Sequence, residues 1–183
     1  MGLWQQMLDV LGMSSKKVCV LVVGLDNSGK STIVNRLKPK ASQTQDMAPT
    51  VGFSVEQIKK GGLNLTVIDM SGASRYRSLW EKYFQDAQAI IFVVDSSDKL
   101  RLVVARNELD QILQHQDVAQ PLPLLVMANK QDLEGALPAS ELAQALQLDN
   151  IRDRPWQTVA TNAITGDGLD TGTEWLADAL DSR

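Results

Sequence analysis

The 183-residue chain has very few of the residues that build disulfide frameworks and metal clusters. Its single cysteine, Cys19, excludes an internal disulfide and a cysteine-based zinc site, and its single histidine, His115, excludes a site with several histidine ligands. The formal net charge of -4 gives no overall basic field, so nucleic acid is not an expected partner. We expect a protein of a reducing, cytoplasmic compartment.

Long hydrophobic runs are also missing. No apolar run reaches the roughly 18 residues of a membrane-spanning helix, and the first residues lack the basic start and long apolar stretch of a secretory signal. Hydrophobic residues still make up 44% of the chain and charged residues 22%, as in globular domains. Length and composition predict one compact domain, 16–183, preceded by a separable segment, 1–15.

Short apolar runs that end near Asp or Asn alternate with helical patterns along this domain. The strand-like runs are 18–23, 63–70, 89–94 and 124–128, and the helical patterns cover 33–37, 100–113, 139–148 and 171–180. The alternation predicts an α/β fold with ligands beyond the carboxyl ends of parallel strands. A further strand, 53–60, is separated from the run at Leu63 only by Gly61-Gly62, which predicts a β-hairpin and one antiparallel strand at an edge of the sheet.

A glycine-rich loop follows the first predicted strand. Gly24 and Gly29 are separated by four residues and are followed by Lys30 and Ser31, which is the P-loop pattern. Lys30 is expected to reach the β- and γ-phosphates and Ser31 to bind Mg²⁺. The predicted nucleotide contacts in this loop are Gly24, Asp26, Asn27, Ser28, Gly29, Lys30, Ser31 and Thr32. The alternative is an ordinary glycine-rich turn with a helix-capping serine.

Selection of the base is predicted from Asn129-Lys130-Gln131-Asp132, which follows the strand 124–128. The Asp132 carboxylate can accept the two N–H groups of the guanine edge, a pair that adenine does not offer. Asn129 is expected to hold the loops around the base, and the Lys130 stem to lie over its ring. Ala160, after the short strand from Trp156, is a weaker candidate for a backbone N–H to guanine. The alternative is a pair of polar residues in an ordinary turn.

Two further segments predict a metal and γ-phosphate site. Asp69 ends a strand and can hold Mg²⁺ through water, while the N–H of Gly72 can meet the γ-phosphate. Thr50, in a polar stretch before the hairpin, is a candidate for a hydroxyl that binds Mg²⁺ and contacts the nucleotide only while the γ-phosphate is present.

With these motifs in order, the sequence resembles a small GTPase of the Arf and Arf-like family over essentially its whole length. The residues that carry the resemblance are 24–30, 49–53, 79–84, 92–96, 129–133 and 166–169. The resemblance implies a six-stranded, mostly parallel sheet with one antiparallel edge strand and helices on both faces. It also implies a GTP/GDP switch with Mg²⁺ that associates with membranes in the GTP state, an exchange factor, a GTPase-activating protein and a protein effector.

The segments 67–72, 75–77, 150–156 and 162–164 are similar to a ciliary branch of the Arf-like proteins. That similarity implies a peripheral membrane protein of the cilium or ciliary base, whose effector is a subunit of the BBSome coat. Switch I around Thr50, the interswitch hairpin and switch II from Gly72 to Tyr83 are the implied effector surface.

One position departs from the family pattern. The family has a glutamine after Asp69-x-x-Gly72 that orients the attacking water, but this chain has Ala73. A methyl group cannot orient water, so we expect very slow hydrolysis without a GTPase-activating protein and assign no certain catalytic residue. A switch that binds GTP with negligible hydrolysis is one alternative. A P-loop kinase for a small metabolite is another, although no lid bearing arginines or acceptor pocket is visible.

The segment 1–15 has an amphipathic pattern. Apolar residues recur at helical spacing, Gln5, Gln6 and Asp9 lie opposite them, and Lys16 and Lys17 follow. The apolar residues are Leu3, Trp4, Met7, Leu8 and Leu11. We expect an amphipathic helix that binds a lipid surface, the alternative being a helix that packs on the domain.

Overall fold

The computed structural model describes residues 17–45, 48–60, 63–118 and 121–182. Its strands are β1 Lys17–Val23, β2 Phe53–Lys60, β3 Leu63–Met70, β4 Ala89–Asp95, β5 Leu124–Asn129 and β6 Trp156–Ala160. Its α-helices are α1 Lys30–Leu37, α2 Leu102–Gln114, α3 Ala139–Ala145 and α4 Leu169–Asp181. Short 3-10 helices cover Lys40–Ser42, Ser74–Tyr83, Lys99–Arg101 and Leu148–Asn150. The predicted segment 1–15 lies outside the described residues.

The strands form one six-stranded sheet in the order β2-β3-β1-β4-β5-β6. All neighbouring pairs are parallel except β2 and β3, whose antiparallel register runs from Phe53 opposite Met70 to Lys60 opposite Leu63. The predicted hairpin and antiparallel edge strand are therefore confirmed, as is the mostly parallel α/β fold.

Two apolar layers cover the sheet, one on each face. Every residue of β4 and β5 is buried, which explains their continuous apolar sequences. One layer joins the sheet to α2, α3 and the 3-10 helix at Ser74–Tyr83, and Trp80 is its largest buried side chain. The other layer joins the sheet to α1 and α4 through Ile33 and Leu176. The apolar stripes of the helices thus place helices on both faces, as predicted.

The observed helices differ from the predicted ones in their bounds. α1 and α4 begin three and two residues earlier than predicted. The pattern at 100–113 begins with the 3-10 turn Lys99–Arg101, capped by the Asp98 carboxylate, before α2 starts at Leu102. The pattern at 139–148 ends at Ala145, because the backbone of Gln147 adopts a left-handed conformation with φ of 54°. Leu148 remains buried, so its apolar character reflects packing and not continuation of α3.

Candidate nucleotide-binding site

The P-loop connects β1 to α1 with a backbone that suits its glycines. Gly29 has φ of 99° and directly precedes α1, and a Cβ at this position would lie 2.2 Å from the side-chain nitrogen of Asn129. Both the conformation and the contact therefore require glycine. The first N–H groups of α1 have no partners within the helix, and its dipole favours negative charge at this end. The loop is thus built to receive an anion.

Lys30 starts α1 and is 5% exposed. Its ammonium group donates to the Leu25 carbonyl at 2.7 Å and lies 3.5 Å from the Ser28 hydroxyl. Burial lowers the pKa of Lys30 from its usual value to about 8, against the opposing influence of the Asp69 and Asp26 carboxylates. A phosphate would supply the negative charge that a buried ammonium group requires.

Three oxygen-bearing side chains from distant parts of the chain meet beside Lys30. The Ser31 hydroxyl lies 2.6 Å from the Thr50 hydroxyl and donates to Asp69 Oδ2 at 2.5 Å. Thr50 also donates to Asp69 Oδ2, at 3.3 Å. The structure therefore brings together the three residues that the sequence predicted for the metal.

The surroundings of Asp69 fit a divalent cation. Asp69 is 2% exposed, and its Oδ1 atom is buried without a hydrogen-bond partner among the described residues. Burial raises the pKa of Asp69, although hydrogen bonding from Ser31 and the charge of Lys30 oppose the rise. Hydroxyl and carboxylate oxygens are the protein ligands that Mg²⁺ accepts, commonly with water and phosphate oxygens completing its shell.

Gly72 brings the segment after β3 into contact with the P-loop. A Cβ on Gly72 would lie 2.3 Å from the backbone nitrogen of Asp26 and 2.5 Å from the carbonyl oxygen of Gly24. No side chain can occupy that space without moving backbone atoms. An open cleft of about 390 Å³ lies beside this contact, and its lining includes Lys30, Thr50 and Ala73. The predicted γ-phosphate residues thus share one cleft.

Asn129 connects the P-loop to the loop after β6. It is 1% exposed, and its side-chain nitrogen donates to the Ser28 carbonyl at 2.9 Å. Its side-chain oxygen accepts from the Thr161 hydroxyl at 3.2 Å and from the N–H of Ala163 at 3.1 Å. The sequence predicted that Asn129 holds the loops around the base, and in the structure its side chain joins the P-loop to the loop after β6.

The other predicted base-recognition residues differ in burial: Lys130 is half-buried, whereas Asp132 and Ala160 are exposed. Lys130 has φ of 63° and forms an ion pair with Asp95 at 2.7 Å. Burial alone would raise the pKa of Asp95, but hydrogen bonds from Lys130 and Ser97 hold it below its usual value. Asp132 is exposed in the turn after β5, and Ala160 is exposed at the end of β6, opposite Ala128.

The 3-10 helix Ser74–Tyr83, which corresponds to the predicted switch II, is held against the domain by two side chains. Arg77 donates to the Gly72 carbonyl at 3.1 Å and pairs with Glu108 of α2 at 2.6 Å. The Trp80 indole N–H donates to the Ser71 carbonyl at 3.1 Å. Although it lies in the implied effector surface, Trp80 is buried in the core. Tyr83 is half-buried, and its ring centroid lies 5.0 Å from that of Phe53.

Sequence reasoning missed the charged partners of two site residues. Asp95 pairs with Lys130, and Arg101 contacts Asp26 of the P-loop. The position of Asp95 at the end of an apolar strand was a usable signal, because β4 and β5 end at the same edge. The pairing of Arg101 with Asp26 has no local sequence signal.

Comparisons with known proteins agree with this arrangement. Residues 4–180 match the profile of the ADP-ribosylation factor family. The chain is 52% identical over 181 residues to ADP-ribosylation factor-like protein 6 of Danio rerio, covering 98% of this chain and 97% of that protein. It is 42% identical over 178 residues to the protein of the same name from Caenorhabditis elegans, covering 97% and 94% of the two chains.

A solved structure is similar as well. It is the Arl6 BBS3 small GTPase of Trypanosoma brucei with the bound nucleotide analogue GppNp, 41% identical, with a TM-score of 0.85. The match covers 91% of this chain and 99% of that chain. Fold and site together define a P-loop guanine-nucleotide-binding protein of the small GTPase class. The chain belongs to the ADP-ribosylation factor family. The similar relatives named above are Arf-like proteins of that family.

Proposed function

We propose that this protein is an Mg²⁺-dependent GTP/GDP switch that associates with a membrane in its GTP form and recruits a protein effector. The observation that carries the proposal is the convergence of Ser31, Thr50 and Asp69 beside the buried Lys30. These groups come from α1, the segment before β2, and β3. A site assembled from three such segments can report whether a γ-phosphate is present, because Thr50 lies in a connecting segment, outside any helix or strand.

The phosphates are bound by the P-loop residues 24–32, with Lys30 compensating their charge. Mg²⁺ is held by Ser31 and Thr50, and by Asp69 through water. When bound, the ion would neutralise the negative charge of the phosphates. Asp69 Oδ1, which has no hydrogen-bond partner within the described part of the chain, supports this assignment, because a buried carboxylate oxygen without a donor is costly unless a cation or its water is nearby.

Guanine is selected by Asp132, with Asn129, Lys130 and Ala160 around the base. Substitution of Asp132 by asparagine is therefore expected to change the preferred base from guanine to xanthine. In Asp132→Asn the amide can donate to the C2 carbonyl of xanthine, whereas the carboxylate can only accept from guanine. We expect the variant to lose GTP affinity by roughly 10- to 100-fold, since a bidentate, charge-assisted pair is lost, and to gain affinity for XTP. Competition binding with GTP, XTP and ATP tests this, and wild-type binding of ATP as tight as GTP contradicts guanine selection.

GTP is expected to persist on this chain. Ala73 begins the segment that faces the cleft, where the family pattern has a glutamine. Lys30 can stabilise phosphate charge, but the methyl group of Ala73 cannot position the attacking water. A switch that binds GTP with negligible intrinsic hydrolysis is therefore the favoured form of the proposal. Family membership over residues 4–180 favours it over a small-metabolite kinase.

The effector surface is proposed at the edge of the sheet beside switch II. Val51, Phe53 and Val55 are 73%, 44% and 50% exposed, although they are apolar. Exposed apolar side chains on an edge strand are typical of an interaction surface. The segment 1–15 supplies the proposed membrane contact; among the described residues, no helix is both long and apolar enough to cross a bilayer.

The effector is proposed to be a BBSome subunit, at the cilium or its base. This finer assignment is supported by the relatives named ADP-ribosylation factor-like protein 6 and by the solved structure named Arl6 BBS3. The test is co-sedimentation of the full chain with liposomes and BBSome, loaded with GTP or GDP. We expect both to be retained only with GTP. Equal retention of the chain with GDP contradicts a nucleotide-controlled switch. If the GTP-loaded chain is retained on the liposomes but the added BBSome is not, only the effector assignment is contradicted.

A further inference from the structure

The Arg101 guanidinium makes three polar contacts, two of which join the start of α2 to the P-loop. Its Nη1 lies 3.1 Å from Asp26 Oδ1, and its Nη2 donates to the Asp26 backbone carbonyl at 3.3 Å. Its Nε donates to Asp98 Oδ2 at 2.5 Å. Asp26 and Arg101 are 75 positions apart in the sequence, so the fold alone brings them together.

Asp98 holds Arg101 in this position. One carboxylate oxygen of Asp98 accepts from the Arg101 side chain and the other accepts from the Arg101 backbone N–H at 3.3 Å. The same carboxylate caps the 3-10 turn Lys99–Arg101. Because Asp98 orients both ends of the residue, the guanidinium is directed toward the P-loop before any ligand binds.

Asp26 needs such a partner because its charge opposes the ligand of its own loop. It lines the cleft that also contains Lys30, Ser31 and Thr50, and its backbone nitrogen lies against Gly72. A carboxylate beside a polyphosphate is repelled by it, and the repulsion grows with the charge of the phosphate chain. GTP carries one more negative charge than GDP, so an unpaired Asp26 disfavours GTP more than GDP.

We propose that Arg101 neutralises Asp26 and thereby acts as a positioning residue that lets the P-loop retain GTP. This inference rests on the proposed nucleotide switch and concerns the same site. Asp26 and Arg101 are 55% and 35% exposed at their side chains, so the pair is partly screened by solvent. The effect on nucleotide release is accordingly moderate and decreases as salt concentration rises.

The test is a double-mutant cycle on the full chain, read by the dissociation rates of fluorescent GDP and of a non-hydrolysable fluorescent GTP analogue with Mg²⁺. Arg101→Met keeps the aliphatic stem and removes the charge. We expect it to speed release of the GTP analogue by roughly 2- to 5-fold, the range of a partly exposed ion pair, and release of GDP by less. Asp26→Asn leaves the Arg101 charge beside the phosphates, so it should slow release of the GTP analogue. The double variant should return close to the wild-type rate.

Arg152→Met, an exposed arginine away from the site, is the matched control and should release both nucleotides like the wild type. Unchanged release in Arg101→Met overturns the inference. A double variant as fast as Arg101→Met also overturns it, since Arg101 then acts on the Asp26 carbonyl and not on its charge. If Arg101→Met does not fold, unchanged or faster release in Asp26→Asn is sufficient to overturn it. A wild-type chain that retains neither nucleotide contradicts the proposed switch itself.

Discussion

The side-chain amide of Asn129 donates to the carbonyl of Ser28 at 2.9 Å, across 101 positions of sequence. Its oxygen accepts from the loop that follows β6. One buried side chain therefore holds the phosphate loop against the loop proposed to bear the base, so the two halves of the nucleotide site are oriented relative to each other by the protein itself. Both amide atoms are used, which makes the position sensitive to any substitution.

Asn129→Ala is expected to lower the free energy of unfolding by roughly 1–3 kcal/mol, because it leaves buried partners unsatisfied. It should also speed nucleotide release, since the P-loop and the base loop lose their common support. Denaturant unfolding and GDP dissociation measure the two effects. Asn107→Ala, on the exposed face of α2, is the control and should change neither. A variant of Asn129 that unfolds like the wild type contradicts the structural assignment.

Lys30→Met is expected to stabilise the nucleotide-free protein while abolishing phosphate binding. Burial lowers the pKa of Lys30 to about 8 from 10.5, so in the fold its charged form is disfavoured. Relief of that penalty should raise the free energy of unfolding by roughly 1–3 kcal/mol at pH 7. The measurement is denaturant unfolding in EDTA without nucleotide, with the exposed Lys40→Met as control.

The free-energy cost of burying the charged Lys30 side chain depends on pH. Between about pH 8 and 10.5 the folded protein has lost the Lys30 proton while the unfolded chain still holds it, so the stability of the wild type rises with pH. The difference from Lys30→Met is therefore complete below pH 8 and decreases above it. A difference that grows above pH 8 contradicts this assignment of the charge.

The pair between Arg77 and Glu108 is expected to hold switch II against α2. Both side chains are less than one-fifth exposed, and Arg77 also bonds the Gly72 carbonyl. Arg77→Met should increase amide hydrogen exchange in residues 72–83 and lower the free energy of unfolding by roughly 1–2 kcal/mol. Arg75→Met is the matched control, since Arg75 is exposed and its guanidinium carbon lies 4.8 Å from the centroid of the Tyr76 ring. Equal exchange in the two variants contradicts an anchoring function of Arg77.

Local patterns in the sequence predicted much of this fold. The hairpin follows from two strand-like runs separated by Gly61-Gly62, and its bounds were predicted as observed because the turn limits the register. The end of α3 was missed, since the left-handed backbone at Gln147 does not follow from an apolar pattern that continues to Leu148. Periodicity reports which residues are buried more directly than it reports where a helix ends.

Some features of the candidate site could also be predicted from the sequence and others could not. The P-loop could be proposed from the sequence because its residues are contiguous and its glycines occupy positions where the backbone requires them. The meeting of Ser31, Thr50 and Asp69 could be predicted only from the order of the motifs, because the three residues are far apart in the sequence. The bond from Arg101 to Asp26 was not predictable, because it depends on how the turn before α2 lies against the P-loop.

The most direct test of the account is single-turnover hydrolysis of GTP on the purified chain with Mg²⁺, beside Ala73→Gln and with ATP as competitor. We predict that GTP binds in preference to ATP, and that Ala73→Gln speeds cleavage by on the order of 100-fold, because a glutamine can position the attacking water. If the chain with Ala73 cleaves GTP as fast as Ala73→Gln, another residue positions the water and the proposed long-lived GTP state is wrong.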